Sequence, residues 1–323
     1  MHSFNQNNFD VLVVKTFKSE DCVCNELKNL ANAYPDQWLF RGQQQRYIRY
    51  WPPEDISISQ WTFWGKHSIA MESLVPIDYR DMENAIANGI CRKHLEWIYG
   101  QRIANVRSFL TTYLIQCHSK WHSYVVQSWY NGLQNASKSA KLLSIGQHYG
   151  LRSCYLDVTY DWQVAVWFAT HDWKTGEHIK SDTSVIYVFN IPNLRKASNC
   201  LETFQHPRNL VDIRDTPSEL APRAKAQQGG SIIGIESPIF LQELIHKKAI
   251  ECWEFKSGHT QSNLNSLQKY LLVPPCDEMA RIYNIIRGVN NPSNRQWNAF
   301  LNWVTINYPG INATQDDHNY LFA

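Results

Sequence analysis

Residues 147–169 constrain the fold more than any other part of this chain. Gln147-His148-Tyr149-Gly150-Leu151 reads as the end of a helix and Tyr155-Leu156-Asp157-Val158-Thr159 as a buried strand. Val164-Ala165-Val166-Trp167-Phe168-Ala169 then reads as a buried helix. Helix, strand and helix in such quick succession call for a core where a sheet and helices pack together. His148, Asp157 and Thr159 stand where the chain changes direction. Polar side chains at such corners either cap the adjoining helix or face a ligand.

The flanking segments extend the pattern. Residues 10–17 (DVLVVKTF) read as a buried strand, and Ser19 as the cap of a helix carrying Cys22, Val23, Leu27 and Leu30 that ends before Pro35. Residues 38–40 form a second short strand with Arg41-Gly42 at its end. Segments 82–99 and 106–133 are helical in period, with Leu110, Tyr113, Leu114 and Cys117, then Val125, Val126 and Trp129, at three- and four-residue spacing. A further helix spans 137–149, with Gly150 as its C-terminal cap. Beyond it, 184–189 (SVIYVF) is a central strand. Strands are also expected at 232–233, 249–255 and 270–273, and helices at 275–287 and 294–304. The expectation is one α+β domain over residues 1–323, built on a central mixed β-sheet system with a helical insertion at about 80–149. The strands at Phe40, Leu156, 184–189 and 249–255 should share that sheet.

Charge excludes one broad class. With 31 basic and 29 acidic residues the net charge is +2, so no global field favours nucleic acid. The one basic run, residues 41–49, holds Arg41, Arg46 and Arg49 and reads as a solvated or carboxylate-paired strand end or as a phosphate contact. No apolar stretch approaches the roughly 20 residues that span a bilayer, and the polar start MHSFNQNNFD lacks a signal-peptide core. No membrane partner is expected. The eight Cys show no disulfide rhythm, which fits a reducing cytoplasm.

Several side chains have two readings. A guanidinium at Arg41, beside the permissive Gly42, can hold a phosphate or carboxylate through paired hydrogen bonds, or can form an internal ion pair with Asp157. Asp157 and Thr159 can cap the following helix or help it bind an anion. His148 can serve as a general base or bond the last helix carbonyls. Gln227, Gln228 and Gly229 form a turn whose amides can read a base or a nicotinamide carboxamide, or simply close a loop; Glu236 is the nearest carboxylate. His118 and His122 lie one helical turn apart, but two ligands alone make no metal site, and none is expected. Cys22-x-Cys24 reads as helix packing. The phosphate loop with its lysine, Gly-x-Gly-x-x-Gly and Gly-x-Ser-x-Gly are all absent, so kinase, Rossmann and α/β-hydrolase readings lose their usual support.

Three blocks together, Phe40-Arg41-Gly42-Gln43, residues 147–169 and Arg223-Ala224-Lys225-Ala226-Gln227-Gln228-Gly229, resemble the FRG domain family. The resemblance runs from about residue 10 to near the end. Where the family usually reads Gly-Leu-Pro-Thr-Arg-Leu-Leu-Asp-Trp-Thr, this chain has Gly150-Leu151-Arg152-Ser153-Cys154-Tyr155-Leu156-Asp157-Val158-Thr159. It is a divergent member: Asp157 and Thr159 are kept, while Pro-Thr-Arg and Trp are not.

The order of blocks is also similar to the layout of ADP-ribosyltransferases, which implies chemistry on NAD, either transfer to a protein or RNA target or hydrolysis, as in a toxin or phage-defence effector. Breaking the nicotinamide–ribose bond passes through an oxocarbenium-like state that needs a polar clamp and a carboxylate. On that resemblance the catalytic set is Arg41, Asp157, Thr159, Gln228 and Glu236. Arg41, Gly42, Gln43, Gln147, His148 and Thr159 would bind the dinucleotide. The competing reading is a non-catalytic module binding a nucleotide or a protein, with Trp51, Trp61 and Trp64 as recognition side chains.

Overall fold

Gly42 sits where a helix is laid directly on a strand, and the larger of two compact units is arranged around that contact. In the computed structural model, residues 12–46, 48–51, 69–72, 120, 123–149, 155–172, 175–199, 210–235, 238–258 and 272 are described. Their strands are β1 (Val13–Phe17), β2 (Trp38–Gln43), β3 (Ile48–Trp51), β4 (Ile69–Glu72), β5 (Tyr155–Thr159), β6 (Ser181–Asn190), β7 (Leu210–Asp212), β8 (Gly229–Ile233) and β9 (Ile250–Ser257). The helices are α1 (Glu20–Ala33), α2 (Tyr124–Gly132), α3 (Asn135–His148), α4 (Trp162–Thr170), α5 (Ile191–Asn199), α6 (Pro222–Ala226) and α7 (Pro238–His246). Seven strands form one mixed sheet in the order β1-β9-β6-β2-β5-β8-β7, and β3 pairs with β4 separately. The chain is thus α+β, and the four strands expected to share a sheet do so. None of the described helices is long and apolar enough to cross a membrane.

By their contacts the residues divide into two units. The first comprises Met1–Val75, Val158–Leu210 and Ile232–Leu272. Its core joins Val23 and Leu27 of α1, Phe40 of β2, Ala165, Val166 and Ala169 of α4, Ile186 and Val188 of β6, and Trp253 and Phe255 of β9. β6 runs antiparallel between β2 and β9, and residues 184–189 are buried without alternation. Both of its faces are covered, so the run is apolar throughout. α4 crosses β2 so closely that a Cβ at Gly42 would lie 1.8 Å from the Ala165 carbonyl oxygen and 2.8 Å from the Ala169 nitrogen. Gly42 therefore makes room for protein backbone, where the sequence had suggested a ligand.

Other elements of this unit differ from expectation for local reasons. β1 is largely exposed, where the sequence suggested a buried strand. It lies at the sheet edge, parallel to β9, and Lys15 reaches Glu251 at 2.7 Å and the Trp253 ring at 5.0 Å. Charge on an edge strand discourages further pairing. Ser19 does cap α1, its hydroxyl accepting from the Cys22 N–H, but the Cys22 side chain faces solvent. Burial, with Glu20 and Asp21 adding negative charge, pushes the Cys24 thiol up to about 12, which leaves it protonated and inert. Glu20 is fully buried and pairs with His178 at 3.0 Å. Leu272 is helical where an extended segment was expected.

The second unit comprises Pro76–Asp157, Val211–Ser231 and Val273–Ala323. The expected helix over 106–133 is interrupted before Tyr124: the Lys120 carbonyl accepts from the Ser123 N–H in a turn, and Ser123, extended at ψ 144°, caps α2 by accepting from Val126. α3 turns a polar stripe inward. Lys141 pairs with Asp215, and the Ser144 and Ser231 hydroxyls meet at 2.7 Å in the interior. The helices expected at 82–99, 275–287 and 294–304 lie outside the described residues.

Two outcomes follow. Gly42→Ala should lower stability by upwards of about 3 kcal/mol, the top of the overpacking range, because backbone cannot yield as a side chain can. Unchanged urea denaturation would contradict the close approach. At the start of α4, Asp161 accepts from the Gln163 N–H at 2.9 Å. Burial holds the Asp161 carboxyl above its ordinary value, against the lowering effect of the Gln163 and Val164 N–H groups. A raised folded-state pKa contributes stability that is full below the unfolded pKa and is lost as pH rises through the folded one. Asn caps equally well without ionising. Asp161→Asn should therefore gain on the parent between mildly acidic and neutral buffer, measured by urea denaturation.

Candidate functional site

In the second unit, α3 ends at His148, and Tyr149 follows as its cap residue. The last carbonyls of a helix need donors, and here Arg223 supplies them. Its Nη1 donates to the His148 carbonyl at 3.1 Å. Its backbone N–H donates to the Tyr149 hydroxyl oxygen at 3.1 Å, and its guanidinium lies 4.9 Å from the Tyr149 ring centre. Arg223 belongs to α6, which is only five residues long and has Pro222 in its first turn. A positive group at a helix C-terminus also complements the helix dipole.

With its carbonyl held by Arg223, the His148 imidazole is free to work through its ring nitrogens. Its side chain is only 4% exposed. Nδ1 lies 2.8 Å from the Gln227 Oε1, a buried hydrogen bond. Nε2 faces the Asp157 Oδ1 at 3.8 Å, beyond hydrogen-bond range, and makes no hydrogen bond among the described residues. The Asp157 side chain is 30% exposed as a whole, while the Oδ1 that faces the ring is buried, as Nε2 is. Gly229 closes the inner side: a Cβ there would lie 2.7 Å from His148 Cε1 and Nε2.

Four of the seven residues 223–229 are therefore explained by one histidine. Arg223 holds the end of its helix, Gln227 holds Nδ1, and Gly229 leaves space for the ring. Gln228, at φ 46°, makes the left-handed turn between them, and its own amide donates back to the Lys225 carbonyl at 3.1 Å. The expected site amide of Gln228 is thus spent on the turn, and its neighbour Gln227 faces the imidazole. The sequence offered Gln227 as a candidate amide beside Gln228 and gave Arg223 and Tyr149 no site role. The signal for Gln227 was its position in the same Gln-Gln-Gly turn; nothing in the linear pattern says which amide points inward.

Arg41 and Thr159 are not brought together. Thr159 of β5 is the register partner of Phe40 on β2, so these two side chains share a sheet face, and Arg41, next in sequence to Phe40, leaves on the other. There Arg41 stands opposite Tyr187, and Gln43 opposite Val185. Thr159 is buried, and its hydroxyl accepts from the Asp161 N–H at 3.0 Å, one step ahead of the true cap, Asp161. Gln147 is half-buried on the last turn of α3. Glu236, His118, His122, Trp61 and Trp64 lie outside the described residues. Among the described residues, no group of three His, Cys, Asp or Glu is placed to hold a metal ion.

Chemically, an imidazole nitrogen and a carboxylate 3.8 Å apart suit proton transfer and the stabilisation of positive charge. Gly229→Ala should displace the imidazole and lower stability by about 1–3 kcal/mol. The largest proton-resonance shifts should fall on the His148 ring; shifts confined to other residues would refute the contact.

Residues 79–178 match the FRG domain, and His148 and Asp157 lie inside the matched span. The match begins after the Phe40–Gln43 block and ends before residues 223–229, which complete the site from outside it. Searches of curated proteins and of solved structures gave no significant match.

Proposed function

We propose that this FRG-domain chain is an enzyme acting on the nicotinamide–ribose bond of NAD, by ADP-ribosyl transfer or hydrolysis, with His148 and Asp157 at its centre. The observation that carries the reading is the buried imidazole, bonded at Nδ1 by Gln227 and facing the Asp157 carboxylate through Nε2. Cleavage of that bond builds positive charge on the ribose, and a carboxylate stabilises it. The incoming hydroxyl, from water or from a protein or RNA acceptor, loses a proton, and an imidazole is the side chain best suited to take it near neutral pH. Arg41 and Thr159, the dinucleotide-binding candidates, take no part in this form of the proposal: one leaves the sheet on the opposite face from the other, and Thr159 is committed to its turn. A cytoplasmic setting accords with the free Cys22 and Cys24 and with a substrate abundant there. Consumption of NAD would suit a toxin or phage-defence effector.

The test is nicotinamide release from NAD by the purified chain. His148→Ala and Asp157→Asn should each lower the rate by about 10²–10⁴-fold, the usual range for a general base, while far-ultraviolet circular dichroism stays that of the parent. NAD that raises the melting temperature without being cleaved would instead establish a non-catalytic nucleotide-binding module. Neither turnover nor stabilisation by NAD would overturn both readings.

A further inference from the structure

Resting on that reading of the site, we infer that Gln227 is a positioning residue that fixes the His148 proton on Nδ1, making Nε2 a base alone and restricting the enzyme to N-glycosides whose leaving group is already cationic. The Gln227 Oε1 can only accept, so at 2.8 Å it takes the Nδ1–H of the ring. A neutral imidazole has one N–H, and its remaining lone pair then sits on Nε2. Nε2 and the Asp157 Oδ1 are both acceptors, and at 3.8 Å they are spaced to share a donor between them.

A hydroxyl is such a donor. As its oxygen forms the new bond to the ribose carbon, its proton passes to Nε2. The electron pair of the C–N bond leaves with the ring nitrogen. A pyridinium departs as neutral nicotinamide and needs no proton. A purine or a dihydropyridine would depart as an anion, and this tautomer has no Nε2 proton to give it. A carboxylate at Asp157 offsets the positive charge of the sugar.

The fold enforces the arrangement. Gln227 is the C-cap residue of α6, the left-handed Gln228 reverses the chain, and Gly229 accepts the face of the ring. Asp157 from β5 faces the ring at Nε2, and Arg223 from α6 is held on the His148 carbonyl.

The test is nitrogen NMR of the full chain carrying ¹⁵N-labelled histidine, with His148 assigned by His148→Gln. The neutral ring should show the Nδ1–H form; the Nε2–H form overturns the inference. In Gln227→Glu, a carboxylate at Nδ1 stabilises the imidazolium, so the His148 titration midpoint should rise by about one pH unit or more, and the acid limb of NAD cleavage should move with it. An unchanged midpoint in a folded variant overturns the inference, and the tautomer of the parent decides alone if the variant does not fold. The expected tautomer without NAD cleavage would sustain the role of Gln227 and sink the proposed reaction. Cleavage with the Nε2–H form would do the reverse.

Discussion

An imidazole shut away from water must find its partners within the protein, and the second unit is organised by that need at His148. The ring is almost wholly covered, so its Nδ1 has to be met by a side chain, and Gln227 meets it at 2.8 Å. To bring an amide there, α6 must end at Gln227, the chain must reverse through a left-handed residue, and the next position must lack a side chain. Gln228 and Gly229 satisfy the last two conditions in order. The end of α3 must also stay still while this happens, and Arg223 holds it through a carbonyl and a tyrosine ring. One buried hydrogen bond thus accounts for the residue types at four positions of a seven-residue stretch.

The first unit obeys a different constraint, the close approach of α4 to β2. Its core is apolar, and its one conspicuous glycine serves helix–strand contact. Residues of that block consequently divide by the pleat. Phe40 and Gly42 face α4, while Arg41 and Gln43 face away. A motif that looks like a single functional word in sequence is split across two faces of a sheet. By contrast, the stretch around His148 concentrates its polar groups on one imidazole, which is why the chemical reading follows that unit.

Much was legible in the chain before any coordinates. The apolar run at 184–189 announced a strand covered on both faces; the capping serine at 19 marked a helix start; the dense block at 147–169 announced helix, strand and helix in order. These features are local: period, cap chemistry and turn residues act within a few positions, and the pattern of neighbours specifies them. The family resemblance was legible for the same reason, because it rests on short ordered blocks, one of which lies within the matched span.

The partners of the polar side chains were decided by tertiary structure alone. Sequence singled out both glutamines of the turn, and only the sign of one backbone angle, φ 46° at Gln228, sends the first inward and turns the second back on its own helix. Sequence placed Arg41, Asp157 and Thr159 at strand ends, yet register puts Thr159 on the face of Phe40 and so parts it from Arg41. The exposure of β1 was hidden likewise, since an apolar strand reads the same at an edge as at a centre. Local propensity depends on what a residue can do by itself. Register, edge position and the reach of one side chain to another depend on segments distant in sequence meeting in space, and their geometry exists only once the sheet and helices have packed.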